Sequence, residues 1–201
     1  MDIARMARAC LEQDIHKAGV ALTDTEWDRQ TRMLSPVSAF AGEVIQNQAH
    51  IADALLFVAG GVVASQQSWE DGNVTVARFF EAGDICANFT SAWTQDIASD
   101  DLVAITDVQG LSIPNHVFRR EYLSGDGFGL YLRHKMVEAH LFAKELVCAK
   151  TSGRTETRYQ FLEEFHSGVI GIVPQKDIAR FLGVTPQGLS RFLKRQKSAP
   201  D

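Results

Sequence analysis

The residues best suited to chemistry lie near the end of the chain, in the run IVPQKDIARFLGVTPQGLSRFLKR (172–195). Arg191 carries a planar guanidinium that can meet guanine O6 and N7 in bidentate fashion, worth roughly 1–3 kcal/mol of base discrimination; it could equally clamp a phosphate. Gln187 is the residue type that pairs with the adenine N6/N7 edge, or it is simply exposed. Thr185, Ser190 and Lys194 suit phosphate and sugar contacts, which make up most protein–DNA hydrogen bonds, and Gln175 and Lys176 suit the same task. Such groups act together only if a rigid scaffold presents them on one face.

The spacing supplies that scaffold. Pro174 fits the first turn of a helix, where its missing N–H is no loss. Ile178, Ala179 and Leu182 then fall on one helical face, and Gly183 stands where a left-handed residue ends a helix. Thr185 is a ready N-cap and Pro186 a good first residue for a second helix. Leu189, Phe192 and Leu193 give that helix an apolar side, with Gln187, Ser190, Arg191 and Lys194 opposite. This predicts a helix-turn-helix, although a solvated helical hairpin would share the pattern. Gly188 is unexpected, because glycine inside a helix costs about 1 kcal/mol relative to alanine. It either lets the backbone approach DNA closely or leaves the helix partly formed until it binds.

Charge separates this segment from the rest. The 201-residue chain has a net charge of −5. Residues 174–197 carry Lys176, Arg180, Arg191, Lys194, Arg195 and Lys197 against Asp177 alone, or +5, which leaves −10 elsewhere. A basic face on an acidic body is the electrostatic footprint of a modular DNA binder.

Other functions find little support. There is no G-x-S-x-G, P-loop, H-E-x-x-H or C-x-x-C, so no enzyme is expected. Ser124-Gly125-Asp126-Gly127-Phe128-Gly129 reads as the turn feeding a helix in preference to an anion loop. Cys10, Cys86 and Cys148 are far apart and read as reduced thiols, with Cys86 a buried structural residue in preference to a redox sensor. The histidines (His16, His50, His116, His134, His140, His166) are scattered, so no metal or other cofactor is expected. No apolar run approaches the roughly 20 residues that span a bilayer, and the N-terminus lacks an apolar signal core, which points to the cytoplasm without membrane attachment.

The order of elements is helices, β-roll, long helix, reader, an α+β fold. An amphipathic helix is expected to about Ala18. A second begins at Thr23, with Glu26 as capping-box partner, and ends near Leu34. Short β-type runs broken by turn signals follow from Val37 to about Pro114 and suggest an antiparallel roll. A proline-free helical pattern covers about 128–150, and a partner helix across a dimer axis is the economical cover for its remaining apolar stripe. TRYQFLEEF then starts the approach to the reader. The expected division is residues 1–125 as sensor, 126–150 as dimerisation helix and 151–201 as DNA-binding domain.

LTDTEW, VARFFEAGDI, AITDVQGLSIP, RYQFLEEF and VPQKDIARFLGVTPQGLSRFLKR together resemble the Crp/Fnr family of bacterial transcription regulators along nearly the whole chain. The resemblance implies a cyclic-nucleotide-binding-like β-roll followed by a DNA-binding helix-turn-helix. It also implies a homodimer whose recognition helices contact two half-sites of double-stranded DNA. It places an effector cassette at Asp84, Cys86, Ala87, Asn88, Ala98 and Ser99. The family's ribose-gripping glycine–glutamate pair falls on Ala87 and Asn88, and its phosphate-holding arginine–serine pair on Ala98 and Ser99. Only the serine is kept. Losing the arginine removes charge-assisted bonds worth about 1.5–3 kcal/mol each, so cyclic AMP is not the expected effector, and any effector is of unknown identity. The chain reaches Asp201 about eight residues after Leu193, so no wing is expected. The rival expectation is a sensor or interaction protein that kept the roll but lost productive DNA binding.

Overall fold

The structure, a computed structural model, describes residues 3–198; the stretch in which a wing was judged absent extends beyond them. Helices α1 (Ile3–Lys17) and α2 (Asp24–Met33) precede strands β1 (Ser35–Ala39), β2 (Val44–Gln46), β3 (Ala54–Gly60), β4 (Val63–Ser68), β5 (Val74–Phe80) and β6 (Ile85–Cys86). A short α3 (Phe89–Thr94) interrupts them before β7 (Asp101–Ala104) and β8 (Val108–Pro114). Five helices complete the chain: α4 (Asn115–Tyr122), α5 (Gly127–Thr151), α6 (Thr155–Phe165), α7 (Gln175–Leu182) and α8 (Pro186–Ser198). Neither α3 nor α4 was expected. Each is at most eight residues long, too short to show a helical period.

The strands form two antiparallel sheets, ordered β1-β8-β3-β6 and β2-β7-β4-β5. Alternation along β3 shows how they stack. Leu55 and Phe57 face outward onto Ala7, Leu11 and Ile15 of α1 and onto Phe128, Tyr131 and Leu132 of α5. Leu56 and Val58 face inward and meet Val63, Phe80, Cys86, Leu102, Ala104 and Val108. The space between the sheets is therefore occupied by the chain's own apolar side chains. Gly110 allows the closest approach inside the first sheet, since a Cβ there would lie 2.1 Å from the Phe57 carbonyl oxygen.

A third cluster joins the second sheet to the last three helices. Val62, Ala64, Val76 and Phe79 pack with Phe161, Leu162, Val169, Val173, Ile178, Phe181 and Leu182. Burying each such side chain contributes about 1.5–3 kcal/mol, so the helical end of the chain is held firmly on the roll.

The expected capping box is present: the Thr23 hydroxyl accepts from Glu26 N while Glu26 Oε2 accepts from Thr23 N. The second Glu26 oxygen accepts from Gly127 N at 2.7 Å, so one carboxylate serves the starts of both α2 and α5. Asp126 caps α5 by accepting from Gly129 N, which makes the glycine-rich segment a helix-feeding turn. Beyond its first turns α5 keeps one side against the roll and α6, through Phe142, Leu146, Ala149 and Lys150, and turns the other side outward. Leu130, His134, Val137, Leu141, Lys144 and Cys148 are exposed at alternating spacings of four and three. Among the described residues no helix is long and apolar enough to cross a membrane.

Candidate nucleic-acid interface and effector cassette

Helix α7 is set by its ends. Pro174 stands at the N-cap, one position earlier than its expected place in the first turn. Gly183 adopts φ 66° at the C-cap, as its type requires, and Val184 N donates back to Ala179 O. Arg158 of α6 donates to the Leu182 carbonyl and closes the same helix end. Asp177 is buried and pairs with Arg180 at 2.8 Å, so part of the tail's positive charge is neutralised within α7.

Three residues later α8 begins. The Thr185 hydroxyl accepts from Gly188 N at 3.0 Å, so Thr185 acts first as N-cap, and its proposed phosphate contact is a secondary task. A Cβ at Gly188 would sit 3.2 Å from Thr185 Oγ1, a tight contact, but the cap bond does not itself require glycine, since Glu26 makes the same bond to Thr23. Leu189 and Phe192 are buried as expected. Gln187, Arg191 and Lys194 are exposed and Ser190 half-exposed, all on the opposite side, with Pro186, Thr185, Gln175 and Lys176 exposed nearby.

Two grooves flank this face. Arg191, Lys194 and Arg195 line one of about 660 Å³ against Thr155 and Glu156 at the start of α6, with Gly188 in its wall. The other, of about 720 Å³, runs between the β4–β5 hairpin (Trp69, Asp71, Asn73, Thr75) and Lys176, Arg180, Thr185 and Pro186. Nothing local in the chain signals that this hairpin adjoins the turn of the reader, because pairing between distant segments leaves no local pattern.

Reader and roll are also joined by polar contacts. Lys150 Nζ donates to the Val76 and Ala77 carbonyls at 3.3 and 3.4 Å and lies 5.0 Å from the centre of the Phe181 ring. Phe79 of β5 meets Phe181 at 5.4 Å, and buried His166 Nδ1 lies 2.8 Å from Glu81 Oε1.

Of the expected cassette residues, Asn88 and Ser99 meet at Asp100, whereas Asp84 is engaged by Glu81 and Arg78. Ala87 and Ala98 are buried, and their methyl groups carry no hydrogen-bonding group. Asn88 is buried and donates from Nδ2 to the Asp100 carbonyl at 2.8 Å, tying the two ends of the cassette together. Ser99 is exposed and donates to Asp100 Oδ1 at 2.5 Å, while Ser65 donates to the other oxygen of the same carboxylate. Asp100, which sequence reasoning missed, thus puts a negative charge beside the position expected to hold a phosphate. Asp84 accepts from Glu81 N at 2.9 Å and faces Arg78, a turn-forming role. Cys86 is fully buried, and burial pushes its thiol well above the ordinary range, so it does not have the exposed thiolate of a redox sensor. Among the described residues no group of three or more His, Cys, Asp or Glu could hold a metal ion.

Residues 36–124 match the model of the cyclic nucleotide-binding domain family. Solved structures extend the likeness along the chain. FixK2 from Bradyrhizobium japonicum superposes with a TM-score of 0.68 at 20% identity, over 82% of this chain and 85% of that one. A transcriptional regulator assigned to the Crp/Fnr family, from Eubacterium rectale, gives 0.66 at 17% identity, over 88% and 84%. A variant of CooA from Carboxydothermus hydrogenoformans gives 0.66 at 16% identity, over 89% and 87%. No curated protein sequence matches. At these identities the likeness is one of fold: the chain has a β-roll like that of cyclic nucleotide-binding domains and an architecture like that of the Crp/Fnr-type structures.

Proposed function

We propose that this chain, built on the Crp/Fnr-type regulator fold, is a homodimeric cytoplasmic transcription regulator that reads double-stranded DNA through α8 and does not respond to cyclic AMP. The observation that carries the reading is the two-sided character of α8. Leu189 and Phe192 anchor it in the core, while Gln187, Ser190, Arg191 and Lys194 stand clear on one outer face. A helix so held can enter a major groove with its backbone already in place, and Arg191 is the residue assigned to base readout. The remaining interface residues, from Gln175 to Lys194, position the backbone.

The exposed α5 stripe from Leu130 to Cys148 repeats as a coiled-coil seam does, and a second copy is its natural cover. Cyclic AMP is disfavoured on two grounds. The inter-sheet space is filled by Phe80 and its neighbours, and the Asp100 carboxylate would repel a phosphate that no arginine of the cassette clamps.

Selection of bound duplexes from a random pool, without added ligand, tests the reading. Recovery of a palindrome by the native protein, relaxed at one position by Arg191→Ala at a cost of about 1–3 kcal/mol, supports it. Binding should also weaken steeply with salt, because each neutralised phosphate releases counterions. No enrichment, with weak salt-insensitive binding, would favour the rival reading of a sensor that no longer reads DNA, for which the acidic body of the chain argues.

A further inference from the structure

At the mouth of the roll a cleft of about 460 Å³ lies between the β5–β6 turn, α1, α5 and α6. Its lining includes Arg78, Asp84, Lys135, Phe142 and Phe165. Lys135 is satisfied there by Asp14 at 3.3 Å and Glu138 at 2.8 Å. Arg78 is not paired so well. Its side chain is only 19% exposed, and among the described residues its ion-pair contact is Asp84 at 3.5 Å and its buried Nε has no hydrogen-bond partner. What surrounds the guanidinium is aromatic: its carbon lies 4.6 Å from the centre of Phe80 and 4.2 Å from that of Phe142.

The two rings belong to different parts of the molecule. Phe80 is a member of the cluster between the sheets, whereas Phe142 stands on α5. Phe142 in turn meets Phe161 at 5.3 Å and His166 at 5.2 Å, on the path to the reader. A leucine could fill the same space without the cost of desolvating a cation, so volume alone does not call for arginine here. A planar cation between two rings does provide a bridge, since desolvated cation–π contacts are among the stronger side-chain interactions.

We infer that Arg78 is the resident ligand of this cleft: its guanidinium, tethered to β5, joins the interior of the roll to α5, and so holds the reader in its DNA-binding arrangement without a small molecule. The coupling to DNA rests on the function proposed above; occupancy of the cleft does not.

Arg78→Ala should leave a cavity that free methylguanidinium can enter. Thermal unfolding is read first, with no DNA present. The variant should melt lower than the native protein, and millimolar methylguanidinium should raise its Tm but not that of the native protein. Phe142→Leu in the same background should abolish the rescue. The duplex selected by the native protein is then titrated. Arg78→Ala should bind it more weakly by roughly 5–150-fold, the usual range of coupling between sites, and methylguanidinium should restore the affinity. Equal responses of variant and native protein to methylguanidinium would overturn the resident-ligand assignment. Rescue of Tm with duplex affinity unchanged throughout would overturn the coupling. Should the native protein select no duplex, the DNA reading fails and the thermal arm still decides the occupancy. Should Arg78→Ala not fold, Arg78→Lys keeps charge and stem but loses the planar stack; a native Tm in that variant would overturn the resident-ligand assignment, and native duplex affinity would overturn the coupling.

Discussion

At the scale of single residues the reader is the most legible part of the molecule, because its rules are local. Gly183 was placed by type alone, and it takes φ 66° with Arg158 Nη1 3.2 Å from where a Cβ would be. Gly183→Ala should therefore cost about 1–2 kcal/mol, the penalty of a left-handed non-glycine residue, seen as a lower midpoint in urea with an unchanged slope. Leu189 and Phe192 were equally readable, since a helical period tells buried from exposed. Gly188 was not. A Cβ at its position would press on the Thr185 hydroxyl three residues back, but that kind of cap bond also forms at Glu26 and does not by itself call for glycine. Asp100 escaped as well. Its carboxylate matters through Ser65 and Ser99, and only the fold brings Ser65, on β4, beside the cassette.

At the scale of elements, caps and long periods were legible and short helices were not. The Thr23–Glu26 box was readable from spacing, but the second bond of Glu26, to Gly127, joins elements about a hundred residues apart. The amide and hydroxyl bonds from Thr23, then that from Gly127, hold the Glu26 carboxyl below the ordinary carboxylate range. At Asp126 burial pushes the pKa up, but Ser124, Arg29 and Gly129 outweigh it and the net direction is also down. A depressed carboxylate stabilises the fold above its unfolded pKa and loses that contribution as pH falls through the folded value. Native protein should accordingly melt above Glu26→Gln at neutral pH, with the gap closing as pH falls below the ordinary glutamate value of about 4.3, as thermal melts across that range would record. Helix α5 carries a second expectation. Leu141 is 55% exposed in the middle of the stripe. A charge there should oppose a second copy without disturbing the roll, so Leu141→Glu should sediment as a monomer at concentrations where the native protein sediments as a dimer.

At the scale of the whole molecule the order helices, roll, long helix, reader could be read from the chain, whereas the packing of reader on roll could not. Phe79 and Phe181 are a hundred residues apart, and nothing near either announces the other. Their shared cluster implies joint unfolding. All three tryptophans, Trp27, Trp69 and Trp93, precede α5 and report on the sensor, whereas the far-ultraviolet signal is dominated by helices that include the reader. The two should give coincident transitions in urea, and Phe79→Ala, expected to cost about 3–5 kcal/mol, should lower both together. The same docking bears on what the proposed regulator would find in a genome. A reader hung from a loose tether can swivel to meet half-sites that are slightly misplaced. One packed against its own sensor works as a rigid ruler, and each base pair inserted between half-sites turns one of them by about a tenth of a helical turn. Near-palindromes with the right letters but the wrong gap would be passed over, so spacing as much as sequence would decide which promoters it occupies.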